Sequence, residues 1–228
     1  RTARLVTTFY NKRIINSLTN LLSKMDSLQE ILEKNNEGAS HVLNGRFFAA
    51  KRSLRTAMMK LQEFSRQTRK SSDVGFQFPS LVVETRTIPQ SKTSRDQSSS
   101  HFLYRHVLLT FIDPKPSNVQ VQKLHDSISD LVGILVFNLS LVYHCNALHH
   151  STRSDLDKVV RIYRKALAAL RQDSQYFQII ALAVFNNMGA IYHDLAKYQQ
   201  AQKCFKAIKK ISSSKSSNML SMQPEART

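Results

Sequence analysis

Phe185-Asn186-Asn187-Met188-Gly189-Ala190-Ile191-Tyr192, followed nine positions after Tyr192 by Ala201-Gln202-Lys203-Cys204-Phe205, is the stretch that decides the fold. Phe185, Met188, Gly189 and Tyr192 share one helix face, because residues three, four and seven apart stack along a helix. Ala201, Phe205 and Ile208 repeat that spacing on a second helix. Small residues at 189 and 201 let two backbones approach closely, where a bulky side chain would force them apart. An antiparallel helix pair follows.

The same spacing recurs twice. From Lys34 it finds Gly38, His41, Ala50, Leu54 and Ala57, with Gly45 at the turn and Phe47 just after it. From Val136 it finds Leu139, Ser140 and Tyr143. Once seven extra residues are allowed around His149 to Ser154, it then finds Val159, Tyr163 and Ala166. These copies resemble the tetratricopeptide repeat family, whose pattern runs aromatic, Leu, Gly and Tyr on one helix and Ala, aromatic and Ala on its partner. The resemblance covers roughly residues 27–66 and 118–211. On Asn35 to Ala39, Phe137 to His144 and Phe185 to Gly189 the chain is similar to repeat proteins of diatoms. It departs from the family at Lys34 (for an aromatic), Ser140 (for Gly) and Ile208 (for Ala).

The fold this implies is all-α: an irregular, tetratricopeptide-like solenoid of about seven helices carrying an inserted β-like hairpin. Residues 1–70 should hold an N-terminal helix plus the first repeat, 71–116 the inserted hairpin and loop, 117–211 two further repeats, and 212–228 a Ser-rich disordered tail. Ile14, Ile15, Leu18, Leu21, Leu22 and Met25 predict the N-terminal amphipathic helix. Ser27-x-x-Glu30 predicts a cap where the first repeat helix begins, and Ser117-x-x-Gln120 predicts one for the helix carrying Tyr143. In the insertion, Leu81 to Thr85 and Phe102 to Ile112 are rich in β-branched and aromatic residues and flank a polar loop, Ser91 to Ser100. Such a hairpin is unstable alone and should lie against the helices.

Composition agrees. Of 228 residues, 42% are hydrophobic and only 5 are Gly and 5 Pro, where average usage would give about 16 and 11. Sandwiches, barrels and doubly wound sheets need many more turn residues. Thirty-three basic residues face 16 acidic ones, for a net charge of +17, concentrated in residues 1–71 and 127–228. This favours an acidic partner. Two cysteines, Cys145 and Cys204, form no disulfide framework, and the cytoplasm or nucleus is expected. The apolar run Leu131 to Tyr143 contains Asn138 and Ser140 and reads as a core helix rather than a transmembrane segment.

No phosphate loop, GxSxG, HExxH or CxxC motif is present, so neither catalysis nor a cofactor is expected. His144, Cys145, His149 and His150 are of zinc-ligand type, yet their spacing matches no familiar ligand pattern, and no metal is expected. By the resemblance, first helices face a concave groove that holds a peptide or helix of a partner protein. The groove candidates are Asn35, Ala39, Val42, Phe137, Leu141, His144, Cys145, Asn186, Ala190, His193 and Asp194. The Lys and Arg of the family's carboxylate clamp are absent, with Asn35 and Ala183 in their places. Second helices form the convex side and carry three basic stripes: Lys51, Arg52 and Arg55; Arg161, Arg164 and Lys165; Lys203, Lys206 and Lys210. The expected function is a noncatalytic interaction module. The alternative is a nucleic-acid or anionic-surface binder that uses those stripes.

Overall fold

A computed structural model describes residues 2–70, 81–87, 105–111, 124–150, 153–174 and 176–220. The fold class is all-α, with six helices among these residues: α1 (Thr2–Leu43), α2 (Phe47–Lys70), α3 (Leu124–His149), α4 (Arg153–Ala169), α5 (Phe177–Asp194) and α6 (Tyr198–Leu220). Two strands, β1 (Leu81–Thr87) and β2 (Arg105–Phe111), pair antiparallel with Leu81 opposite Phe111. The loop expected at Ser91 to Ser100 and the cap at Ser117 lie outside the described residues.

Six helices replace the seven expected because α1 is continuous over 42 residues. No Pro interrupts it, and its single Gly, Gly38, comes late. Ser27 is therefore not a cap. It sits in mid-helix with its hydroxyl donating to the Ser23 carbonyl at 2.9 Å, which supplies the local hydrogen bond a cap would have made elsewhere. At the other end α6 runs to Leu220, into the segment expected to be disordered. Ser213 there donates back to the Lys209 and Lys210 carbonyls, and so joins the helix rather than ending it.

The helices form three successive pairs, α1 with α2, α3 with α4 and α5 with α6, and the pairs stack through α2 on α3 and α4 on α5. Each neighbour covers the apolar stripe of the next. Leu28, Ile31, Leu54, Phe64, Leu131, Ile134, Leu135, Phe137, Tyr163 and Ile180 are all buried in one continuous core. β2 lies beside α1 and α3.

Each pair has one glycine at its closest approach. A Cβ on Gly38 would stand 2.6 Å from Leu54 Cγ and 3.4 Å from the Ala50 carbonyl, and one on Gly189 would stand 2.6 Å from Phe205 Cε1. In the middle pair that role falls to Gly133, which packs on Leu170 and the Ala166 carbonyl, and not to position 140. Ser140, buried, satisfies its hydroxyl on the Val136 carbonyl at 2.7 Å. The seven extra residues of this pair do not form an insertion between helices. α3 continues to His149 and α4 begins at Arg153, so the facing ends of the two helices absorb them and the contact glycine moves two turns toward the far end.

Pairs one and three turn alike. In the first, Gly45 takes φ +67, the Gly45 amide donates to Val42 and the Arg46 amide to His41. In the third, Ala196 takes φ 56, with the Ala196 amide on His193 and the Lys197 amide on Tyr192. Both are left-handed helix C-caps. A Cβ is disfavoured in this region by roughly 1 kcal/mol or more. Gly45→Ala is accordingly expected to lose about 1 kcal/mol of stability in urea titrations. Ala196→Gly should gain less than that, since glycine's unfolded chain has more entropy to lose. Equal and opposite effects would contradict this account.

Candidate docking surface

The residues expected to line a concave groove are mostly interior. Asn35, Ala39, Val42, Phe137, Leu141, His144 and Ala190 are buried, which corrects their assignment as an open peptide surface. Asn186 and Asp194 are half-buried, and His193 is exposed with its ring edge-on to Tyr198 at 5.5 Å. The polar members are engaged with neighbouring helices. The Asn138 amide donates to Asn35 Oδ1 at 2.8 Å and ties α3 to α1. The Tyr163 hydroxyl receives the Asn187 amide at 3.1 Å and meets His144 Nδ1 at 3.3 Å, joining α5, α4 and α3 at one buried point. Partners for these groups are specific in position, so they fix the register of the three pairs more than they add net energy.

Burial also sets the chemistry of this region. The His144 imidazole, with no exposed surface, is pushed down to about 3 because its charged form is desolvated. Desolvation likewise pushes the Cys145 thiol up to about 12 and raises that of Cys204, leaving both poor nucleophiles near neutrality. The zinc-type residues do not converge. His144 faces Tyr163, while His149 packs on Phe47 at 6.0 Å and on His150. Among the described residues no three metal-ligating side chains group together.

The basic stripes divide into two kinds. Arg55 on α2 donates to the Tyr143 hydroxyl on α3 at 3.1 Å, with Lys51 over the same ring at 4.9 Å. Arg164 on α4 donates to the Tyr192 hydroxyl on α5 at 2.7 Å. These two arginines hold matching places in their pairs, and each bridges its pair to the next. Lys51, Arg55 and Arg164 are therefore struts between pairs as well as surface charge. Arg52, Arg161, Lys165, Lys203, Lys206 and Lys210 are exposed or half-exposed. On α6 the place of Arg55 and Arg164 is taken by Lys206. The place of Met58 and Leu167, which pack on the core, is taken by exposed Lys209. α6 thus presents lysines where α2 and α4 present contacts to the next pair.

A surface feature with apolar depth lies between α2 and α3. This groove of about 990 Å³ is floored by Leu61, Ile128, Val132, Leu135 and Leu139 and walled by Met58, Met59, Gln62 and Ser65, with Arg55 and Arg66 at its edge. Met59 is 70% exposed, unusual for a thioether in a chain with this much core to fill. The sequence held the signal for this site in the adjacent pair Met58-Met59, which the repeat pattern leaves unassigned. α3 is also the helix in which the apolar run extends beyond Leu131 to Tyr143. Ile128–His149 has a mean hydropathy of 1.7 over its most apolar window, long and apolar enough to cross a membrane, and 67% of that window is buried inside the stack. A helix with neighbours on both sides needs this composition. No protein-family model, curated protein or solved structure matches the chain.

Proposed function

We propose that this chain is a noncatalytic protein-interaction module: a tetratricopeptide-like stack of three helix pairs, with the two-stranded segment laid against its first helices, that docks a segment of a partner protein between α2 and α3. The groove with exposed Met59 carries this reading. Its floor belongs to helices fixed by the core, so a partner meets a preformed surface and little ordering entropy is lost on the receptor side. Methionines on its wall adapt to the contour they meet. The buried first-helix residues serve the stack instead.

Met59→Asp tests the proposal. The side chain is exposed, so helical circular dichroism and the melting temperature should be unchanged, while a charge amid the apolar contacts should weaken partner capture by about 2 kcal/mol, roughly 30-fold. Capture is scored at 300 mM salt after nuclease treatment, because a +17 chain attracts any polyanion at low salt. Reversing Lys203, Lys206 and Lys210 to Glu should reduce nucleic-acid retention and leave the partner bound. Partners that survive Met59→Asp and vanish with the lysines would transfer the function to the basic faces.

A further inference from the structure

Resting on that reading, we infer that the segment received between α2 and α3 is an acidic amphipathic helix of about four turns. The floor sets the shape. Ile128, Val132, Leu135 and Leu139 follow one another at steps of four, three and four, the spacing of a coiled-coil seam. Leu135 is covered by the protein itself, whereas Ile128, Val132 and Leu139 remain half-exposed, so the seam is only partly used. On the facing wall Arg55, Met58, Gln62 and Ser65 recur at steps of three, four and three. The bond from Arg55, in the first half of α2, to Tyr143, near the end of α3, shows that the two walls run antiparallel. Two such stripes side by side form the cradle into which a third helix sets its own residues at i, i+4, i+7 and i+11. An extended strand, with side chains alternating every residue, matches neither spacing.

Charge sets the composition. Among the described residues the groove lining contains two arginines and no carboxylate. Arg55 spends its hydrogen bond on a neutral phenol, so that contact leaves its charge uncompensated. Arg66 meets Glu63 of its own helix at 3.1 Å, an exposed pair that a better-placed carboxylate displaces at small cost. α2 as a whole bears seven basic residues and one acidic residue. Arg55 and Arg66 are eleven residues apart, roughly 16 Å at 1.5 Å per residue, so they match carboxylates three turns apart on the docked helix.

The probes are three 18-residue synthetic peptides: one with Leu at i, i+4, i+7 and i+11 and Glu on the flanks, one with Gln replacing each Glu, and one with the acidic composition scrambled. Binding to the full chain is read by fluorescence anisotropy at 150 mM salt. The patterned acidic peptide should bind about tenfold more tightly than either of the others. Arg66→Gln, which removes an ion pair internal to α2, should lose part of that margin, and Arg55→Gln with Arg66→Gln should lose nearly all of it. The Gln peptide should be indifferent to both. Equal binding of scrambled and patterned acidic peptides, or a margin that survives loss of both arginines, overturns the inference. Equal binding of the Gln and Glu peptides, abolished by Met59→Asp, overturns the acidic partner and leaves the groove reading standing. Binding of none of the three overturns the helical occupant, and the groove then stands or falls on the Met59→Asp capture experiment alone.

Discussion

Gly133→Leu is expected to lower the unfolding free energy by about 3 kcal/mol, a large share of the 5–15 kcal/mol typical of a domain. Its Cβ would collide with Cγ of Leu170 and stand 3.3 Å from the Ala166 carbonyl. Leu170 is buried and the carbonyl belongs to a helix backbone, so neither gives way without moving α4 off α3. Leucine's better helix propensity returns roughly 1 kcal/mol and does not cover the loss. Gly38→Leu should behave similarly, because Leu54 has no exposed surface. Gly189→Ala should be mild by contrast: a single methyl meets the far edge of the half-buried Phe205 ring and no backbone atom of α6. Urea midpoints for the three variants check this order. An unchanged midpoint for Gly133→Leu would mean that α3 and α4 do not meet closely at Gly133.

Acidification is expected to destabilise the protein through His144. Its folded value, about 3, lies below the ordinary histidine value of 6.5, so the unfolded chain binds the proton more readily. The stability His144 confers is complete above about pH 6.5 and is lost as pH falls toward 3, at about 1.4 kcal/mol per pH unit and on the order of 5 kcal/mol in all. Carboxylates add their own pH dependence: burial raises Asp130, and hydrogen bonds from Lys34 and Arg171 lower Glu37 and Asp173. The difference between the wild type and His144→Gln isolates the histidine, since the amide keeps a hydrogen bond to Tyr163 within reach and does not titrate. The wild type should lose about 2 kcal/mol more than the variant between pH 6.5 and 5. Parallel losses in the two proteins would show that His144 is reached by water.

The helix pairs are legible from local rules alone. The small residues at 38 and 189, the apolar series on α3 and the turn glycine at 45 each follow from the spacing of residues along a helix or from the backbone freedom a turn requires. The same rules mislead at Ser27. A capping pattern in sequence and a mid-helix serine bonding back to Ser23 differ only in whether the preceding turn is helical, and that is settled by packing along α1. Ser140 holds the glycine position by spacing. Which residue of α3 touches α4 depends instead on how far each helix extends, and α3 runs on to His149.

The candidate site is less legible. Asn35 and His144 have the residue types of a binding groove, and a periodicity cannot distinguish a groove from an interface with another helix. The tertiary structure buries both, with Asn138 opposite Asn35 and Tyr163 between His144 and Asn187. Met58 and Met59 have the type of core residues, and only the placement of α2 beside α3 puts Met58 against the core and leaves Met59 exposed on the groove. The sequence by itself determined what each helix is and which stripe it must bury, because periodicity and propensity act within a few turns. The tertiary structure alone decided which stripes found a neighbour and which was left open, because that depends on contacts between residues as far apart as Arg55 and Tyr143.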